Sequence, residues 1–441
     1  MAFAHHLSTE CTKSELDLFT VPPTQTSIES ANYVEYNPIS TINDGTPIEF
    51  VIGGSGQDYI DLANTQLFVT AKIVKADGTN IENASEVGPV NLLLQSLFSE
   101  IDIKVNGSLI TSCNNTYAYR SYLETLLSYG RDAKTSQLTG SLFYKDTATK
   151  FDTANPAAPA ANSNAGLVKR QSFFRGGGQV ELIGRIHADL FFQDKYLPND
   201  ISLRIRLVRN KDAFCLMSST PDDNYKINIS ACKIYVRKVK LSPSVFVAHA
   251  KALEVGNAKY PIRRVVCKTF TVPRGNLDFS QENLFTGQLP TRLVLGCVDN
   301  DAYNGSYAKS PFNFKHFRMS QLKVFLDGQQ QQIRPLELNY ANNGYLAGYM
   351  TLFSGTGKQF RDEGCEIQRD EYPGGYALYA FDLTPDMAEE GHFNLIKEGN
   401  VRVDVKFDVG LPNTINVIAY AEFENIIEID RSKNVIFDYS N

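Results

Sequence analysis

One short phrase that the chain contains twice constrains its fold more than any other feature. Residues 99–107 read Ser-Glu-Ile-Asp-Ile-Lys-Val-Asn-Gly, and residues 320–328 read Ser-Gln-Leu-Lys-Val-Phe-Leu-Asp-Gly. Apolar residues at every second position predict a strand with one face on a core. Asn-Gly and Asp-Gly accept the positive φ angles that a tight hairpin requires. Each phrase therefore predicts a strand that ends in a hairpin turn.

The sequence that follows each phrase is also similar. An Asn pair comes next, Asn114-Asn115 in the first half and Asn342-Asn343 in the second, and each pair predicts the N-cap of a short helix. Both helices carry an apolar stripe and end at a glycine, Gly130 or Gly355. The stripes consist of Tyr119, Tyr122, Leu123, Leu126 and Leu127 in the first helix and of Tyr345, Tyr349, Leu352 and Phe353 in the second. Such elements also recur by chance, but their shared order favours a duplicated β domain.

Length and composition fit two soluble β domains. A chain of 441 residues is too long for one compact core and predicts two domains of roughly 200 residues each. Apolar residues make up 43%, the mean hydropathy is -0.24, and no stretch reaches the ~20 apolar residues of a membrane span. The first six residues have neither a basic nor an apolar signal region, so we expect synthesis in the cytosol without secretion.

Cysteine, tryptophan and net charge exclude several classes of function. The seven cysteines form no CxxC pair, which predicts reduced, buried thiols instead of a disulfide framework or a zinc site. The chain has no Trp, which disfavours a sugar-binding sandwich with exposed aromatic platforms. A net charge of -6 gives no overall attraction to nucleic acid.

The chain divides into an arm, two domains, a linker and a tail. Residues 1–45 form the N-terminal arm, residues 244–258 the linker and residues 432–441 the C-terminal tail. The arm is polar and extended, with Tyr33, Tyr36 and Pro38 among its residues, and composition alone leaves a disordered tail and a partner-docking segment equally open. Residues 46–243 and 259–431 are predicted as two tandem antiparallel jelly-roll β-sandwiches, all-β, with few short helices and long loops.

Two further pairs of predicted strands, residues 201–207 with 401–407 and residues 227–241 with 415–429, occupy matching places in the two halves. In the first half the predicted strands cover residues 47–52, 65–74, 101–105, 180–192, 201–208 and 227–241, and in the second half residues 263–272, 292–298, 322–326, 376–383, 401–407 and 415–429. A long insertion, residues 130–178, separates the first helix from the next strand. Its Ala-Pro-Asn centre cannot build a core, so we expect this centre at a solvent-facing tip. The flanks, residues 138–144 and 166–174, carry enough apolar residues to pack, and a neighbouring copy is one surface on which they could do so.

A search for catalytic or metal-binding residues finds no convincing set. The chain lacks the phosphate-binding, zinc-protease and nucleophile-elbow motifs, and the glycines at 53–56 and 176–178 predict tight turns. His187 and Asp189 would share one face of a strand. This placement favours a surface hydrogen bond between them over a role as part of a catalytic unit. His316 and His392 stand alone. We therefore predict no catalytic, cofactor-binding or metal-binding residues, no cofactor, and no enzyme activity.

Charge is unevenly distributed along the chain. Residues 201–240 are rich in Lys and Arg, whereas residues 361–408 are rich in acids. A basic strip could contact nucleic acid. Because the net charge is negative, complementarity between neighbouring copies is the preferred interpretation.

Three long stretches resemble one protein family. They are residues 14–28 of the arm, the stretch from Pro47-Ile48-Glu49-Phe50 to Asp61-Leu62-Ala63-Asn64, and residues 431–439 near the C-terminus. All three resemble the major capsid (hexon-like) proteins of adintoviruses and of the related Polinton or Maverick elements, and the likeness extends over nearly the whole chain.

The resemblance implies a double jelly roll that forms a homotrimer with a pseudo-hexagonal outline. Such capsomers tile an icosahedral virion shell around double-stranded DNA. The implied partners are other copies of the chain, then neighbouring capsomers, and penton and other minor capsid proteins that contact the arm and tail. Sequence-specific binding of nucleic acid is not expected, and the resemblance carries over no site residue. Two alternatives stay open: a tandem jelly-roll glycan amidase, and an adhesion or scaffold module.

Overall fold

A computed structural model describes residues 5–43, 45–54, 56–111, 114–155, 162–220, 224–330, 335–385 and 392–439. The strands within these ranges are β1 (Ile28–Tyr36), β2 (Ile48–Ile52), β3 (Asp58–Val74), β4 (Val87–Pro89), β5 (Phe98–Val105), β6 (Ser108–Leu109), β7 (Val180–Arg185), β8 (Leu203–Arg209), β9 (Leu216–Ser218), β10 (Lys226–Leu241), β11 (Ala258–Val272), β12 (Asp278–Gln288), β13 (Arg292–Asp299), β14 (Met319–Leu326), β15 (Gln329–Gln330), β16 (Leu336–Glu337), β17 (Leu378–Asp382), β18 (Glu398–Phe407), β19 (Ile415–Ile429) and β20 (Val435–Phe437). The α-helices are α1 (Leu93–Ser96), α2 (Tyr117–Ser128), α3 (Arg131–Thr135), α4 (Ala165–Ser172), α5 (Asp212–Cys215), α6 (Pro243–Val255), α7 (Asn300–Asn304) and α8 (Leu346–Ser354).

The two halves of the chain have the same strand order. In the first half the two main sheets run β1-β10-β3-β7 and β2-β8-β5-β6, and in the second half they run β11-β19-β13-β17 and β12-β18-β14-β15. When the short strands β4, β9, β16 and β20 are left out, each half has eight strands. Taken in chain order, these strands are distributed over the two sheets in the same way in both halves. Paired antiparallel sheets connected in this way are jelly rolls, so the predicted duplication and sandwich class are confirmed.

The repeated phrase forms the same hairpin in both halves. β5 turns at Asn106-Gly107 into β6, and β14 turns at Asp327-Gly328 into β15. All four turn residues have positive φ, from 47° at Asn106 to 88° at Gly107. This backbone matches the twist of the flanking strands, as the sequence predicts.

The helices after the hairpins form, but the predicted N-caps are wrong. α2 is preceded by Thr116 and α8 by Tyr345, and neither residue caps its helix with its side chain. Asn114 instead donates to the Cys267 carbonyl at 2.5 Å, and Asn342 lies in a separate 3-10 turn, Tyr340–Asn342. Neither Asn pair therefore caps the helix that follows it.

Part of the N-terminal arm is an edge strand of the first jelly roll. β1 pairs antiparallel with β10 along its length. Only its end residues are half-buried, which explains why its sequence lacks apolar alternation. Two ion pairs link the strands, Glu35–Lys233 at 2.8 Å and Glu29–Lys240 at 3.1 Å. The residues from 5 to 27, by contrast, are all exposed.

The tail also folds onto the body. β20 pairs with β19, and the Asp438 carboxylate accepts the Ile426 backbone N–H at 3.0 Å. The Asn106 amide of the first hairpin donates to the Lys433 carbonyl at 2.7 Å, so the tail touches both jelly rolls.

One continuous apolar core joins the two jelly rolls. The aromatic side chains of α2 enter the second half, where Tyr122 stacks on Phe312 with ring centroids 4.2 Å apart. Tyr119 stacks on Tyr303 at 5.7 Å. Because densely packed interiors resist rearrangement, this contact fixes the relative orientation of the halves.

The long insertion packs between the halves of its own chain. Phe143 and Phe174 of its flanks are fully buried inside the chain, whereas Phe173 is 40% exposed, so contact of the flanks with a neighbouring copy stays a prediction. Lys145 pairs with Glu371 of the second half at 2.6 Å. The central residues 156–161 lie outside the described residues.

Candidate functional site

His187 and Asp189 lie in a buried polar network and not on the surface. The predicted strand from 180 to 192 ends at Arg185, and Asp189 begins a 3-10 turn, Asp189–Phe192, that points its side chain inward. His187 is 7% exposed and Asp189 3% exposed. The prediction of a surface hydrogen bond on one strand face is therefore wrong.

Arg120 of α2 is the centre of this network. Its guanidinium donates to Glu124 at 2.8 Å and to Asp189 at 2.6 Å. His187 Nδ1 lies 2.6 Å from the second Glu124 oxygen. Asp189 Oδ1 also accepts the Val265 backbone N–H of β11 at 3.1 Å. The network thus connects the first jelly roll to the first strand of the second.

The electrostatics of the network are those of a structural joint. Burial works to raise the pKa of Glu124, but Arg120 and His187 outweigh it and leave that pKa lowered. Burial raises the pKa of Asp189, and Arg120 offsets this only in part. A general base needs reach to a substrate proton, whereas these groups are buried and face one another. The arrangement holds two domains together.

The other singled-out residues do not converge on a site. The His316 ring stacks on Tyr340 at 3.9 Å, and burial, with Arg318 nearby, lowers the pKa of His316 to about 4. His392 is exposed beside Phe393. Gly176 and Gly177 have positive φ in a 3-10 turn, as tight turns require.

The cysteines behave as buried apolar residues. Among the described cysteines, five are buried free thiols and Cys11 is exposed, while Cys113 lies outside the described residues. Burial raises the pKa of Cys232, Cys267 and Cys297 to about 12. Within the described ranges, no group of three or more His, Cys, Asp or Glu could hold a metal ion. That the protein binds no metal stays a prediction.

The basic stretch from 201 to 240 is largely paired inside the chain. Arg204 contacts Glu49 at 2.6 Å, Arg206 contacts Asp102 at 2.9 Å, and Arg237 contacts Asp61. These are cross-strand pairs within the two sheets of the first jelly roll. The sequence analysis preferred charge complementarity between neighbouring copies for this basic stretch. The fold does not support that interpretation, because these three arginines pair within the chain.

A large apolar cleft lies under α6, and sequence reasoning missed it. Its volume is about 720 Å³, and it lies between α6, the end of β10 and the start of β11. No residue of α6 is buried, although the helix carries Val, Phe, Ala and Leu. The lining includes Tyr59, Tyr196, Leu241, Val245, Leu253 and Tyr260. The only sequence signal was an apolar run in the predicted linker.

None of the helices in the described ranges is long and apolar enough to cross a bilayer.

Solved structures with the same architecture are viral capsid proteins. A chain in the structure of the Sputnik virophage superposes with a TM-score of 0.68 at 12% identity, covering 98% of this chain and 93% of that chain. The mavirus major capsid protein gives a TM-score of 0.53 at 12% identity, over 99% of this chain and 96% of its own. The Faustovirus major capsid protein gives 0.54 at 8% identity, over 93% and 92%.

The chain has the double jelly-roll fold. The match extends over nearly the full length of each neighbour, so both jelly rolls and their mutual placement are shared.

A sequence relative comes from an animal. An uncharacterised protein of Caenorhabditis elegans is 26% identical over 433 residues, which cover 95% of this chain and 99% of the relative. No protein-family model matches the chain.

Proposed function

We propose that this chain is a major capsid protein. Three copies form a capsomer with a pseudo-hexagonal outline, and capsomers tile an icosahedral shell around double-stranded DNA. The observation that carries the proposal is the pair of jelly rolls with identical strand order, held side by side by one core. Three such chains present six similar edges, and cyclic symmetry makes their contacts self-limiting.

The rigid joint supports this function. A tile needs a fixed angle between its two jelly rolls, and three contacts join them: the buried Tyr122–Phe312 stack, the buried Asp189–Val265 hydrogen bond and the partly exposed Lys145–Glu371 pair. An enzyme of two jelly rolls would need an accessible acid, base or nucleophile, and the candidates His187 and Asp189 are used in the joint. This disfavours the glycan-amidase alternative.

The narrower assignment rests on sequence. We propose that the chain belongs with the capsid proteins of adintoviruses and Polinton or Maverick elements, which its arm, residues 47–64 and its tail resemble, and a relative from an animal supports this assignment. The proposed location is the virion, with minor capsid proteins contacting the arm. An adhesion or scaffold module would instead be a monomer or an array of repeats.

Light scattering after size exclusion tests the capsomer. We expect a mass three times that of the 49.2 kDa chain at micromolar concentration and moderate salt. The same sample should show no amidase activity on glycopeptides. A stable monomer with hydrolytic activity would favour the alternative.

A further inference from the structure

Two apolar surfaces are left uncovered by the part of the chain that the structure describes. The first belongs to the exposed part of the arm, residues 5–27. Leu16, Leu18, Phe19 and Val21 are between 70% and 96% exposed there. The second is the cleft under α6. Soluble proteins rarely keep contiguous apolar surfaces of this kind unless a partner covers them.

We propose that the cleft under α6 binds the segment Leu16–Phe19 from the arm of a second copy of this chain. The inference rests on the proposed capsid function, because it needs several copies side by side. It assigns the arm a specific acceptor surface, which is the cleft formed by α6, Tyr59, Tyr196 and Tyr260.

The size and lining of the cleft suit this occupant. Its volume of about 720 Å³ holds two or three large apolar side chains, and it is open to solvent, as a surface groove for a peptide must be. Aromatic and aliphatic groups line it, and the Tyr59 hydroxyl at its wall is held 3.1 Å from His249 Nδ1. Leu18 and Phe19 would insert as anchors.

Charge at the rim complements the segment. Lys195 and Lys259 lie at the cleft together with a single acid, Asp194. The arm segment presents Glu15 and Asp17 on either side of Leu16. Lys259 Nζ also lies 3.9 Å from Glu428, so the exposed Lys195 is the main cation that the acids beside the apolar anchors would meet, and this pairing favours the acidic segment over the rest of the arm.

The exit of the arm favours a second copy over the same chain. The Gln25 side chain accepts from the Ile28 backbone N–H at 2.7 Å and donates to the Ile28 carbonyl at 3.1 Å, just where the arm joins β1 at the cleft. Pro22-Pro23 precedes this clamp and holds the chain extended. To reach its own cleft the arm would have to reverse within three residues, between the prolines and Ser27. An extended arm instead reaches outward to a neighbour.

Chemical cross-linking between two differently tagged full-length chains tests the proposal. One chain carries Thr20→Cys beside the apolar anchors, the other carries Ala252→Cys on the cleft side of α6, and both carry Cys11→Ser to remove the exposed native thiol. After co-assembly and treatment with a short bismaleimide, we expect a product that contains both tags. Glu282→Cys, exposed on β12 and outside the cleft, replaces Ala252→Cys as the control and should give at least tenfold less product.

A second pair of variants tests the chemistry of the contact. Leu18→Asp and Phe19→Asp change side chains that are 76% and 96% exposed, so they leave the fold of the chain intact. Each should lower the yield of the two-tag product at least tenfold. Unchanged yield would show that the anchors do not enter the cleft and would overturn the proposal.

The remaining outcomes separate this inference from the capsid function. Cross-linking only within a single chain that carries both cysteines would show that the cleft takes its own arm, and would overturn the inter-copy contact. Trimers and shells without any arm-to-cleft product would overturn the inference and leave the capsid function standing. The two-tag product without trimers or shells would overturn the capsid function and leave the arm-to-cleft contact standing.

Discussion

The Asp189 carboxylate of the first jelly roll accepts the backbone N–H of Val265 in the second at 3.1 Å. The same oxygen receives the Arg120 guanidinium at 2.6 Å. One buried oxygen therefore ties a helix, a turn and a strand from two jelly rolls. Since buried charge is costly unless paired and hydrogen-bonded, the joint is stable only when all its members are in place.

Arg120→Met should destabilise the fold strongly. It leaves Asp189 and Glu124 buried without their cationic partner, which costs about 3–5 kcal/mol in free energy of unfolding. Urea unfolding followed by circular dichroism measures the change. The matched control is Arg204→Met, whose ion pair with Glu49 is solvent-exposed on the Arg204 side and should contribute less than about 1 kcal/mol. Equal effects of the two substitutions would contradict the joint.

Lys134 should make stability rise with pH above neutrality. It is buried on α3, donates to the carbonyls of Leu126 and Cys365, and burial lowers its pKa from 10.5 to about 8. Between these two values the unfolded chain keeps a proton that the folded chain has lost. The free energy of unfolding therefore rises with pH in that window, by about 3 kcal/mol at most.

The variant Lys134→Met isolates this effect. It removes the titration, while the two unpaired carbonyls add an offset that does not depend on pH. The difference in free energy of unfolding between wild type and variant should change between pH 8 and pH 10, in favour of the wild type at the higher pH. A constant difference over this range would show that the Lys134 pKa is not lowered.

Gly375 should tolerate no side chain. Its φ is 124°, and a Cβ there would overlap the ring of Phe151 from the insertion. Gly375→Ala is expected to lower the free energy of unfolding by roughly 2–4 kcal/mol, because it strains the backbone and displaces Phe151. Gly256→Ala is the control, because a Cβ at Gly256 meets no atom within 4 Å. Matching melting temperatures for the two variants would contradict the packing of the insertion on the second half.

The tip of the insertion should be the most accessible loop. Its flanks are buried in the chain, but the Ala-Pro-Asn centre has no apolar residue larger than alanine or proline. Limited proteolysis of trimers should cut first between residues 153 and 166 or in the arm. A small tag inserted near Pro159 should be bound by antibody on assembled shells, whereas a hidden tag would place the loop inside or in an interface.

Removing the exposed arm should leave the fold intact. Deletion of residues 1–24 keeps Gln25 and β1, and the described residues that it removes, 5–24, are all exposed, so the urea midpoint should stay unchanged while shell formation falls. Deletion of residues 1–36 also removes β1 and bares the edge of β10, which should promote aggregation. Equal behaviour of both truncations would contradict the role of β1 as part of the sandwich.

Sequence patterns predicted the elements whose physics is local. The β5 and β14 hairpins follow from alternation and a turn dipeptide, and the predicted strand at residues 415–429 is β19. β1 escaped prediction because it is an edge strand with little burial, where charged and polar residues replace the alternation.

The features that depend on distant segments could not be read from the sequence. Arg120, His187 and Val265 are far apart in the chain, and no local pattern shows that a turn at Asp189 places them together. The cleft likewise depends on how α6 sits over the ends of β10 and β11. Such sites arise from topology, so only the assembled fold reveals them.

Electron microscopy of the purified protein, alone and with its co-encoded partners, tests the central claim most directly. We expect threefold particles with a six-sided outline, two jelly rolls per chain around the rim, and closed icosahedral shells in the presence of the partners. Monomers, or linear arrays that never close under any of these conditions, would contradict it.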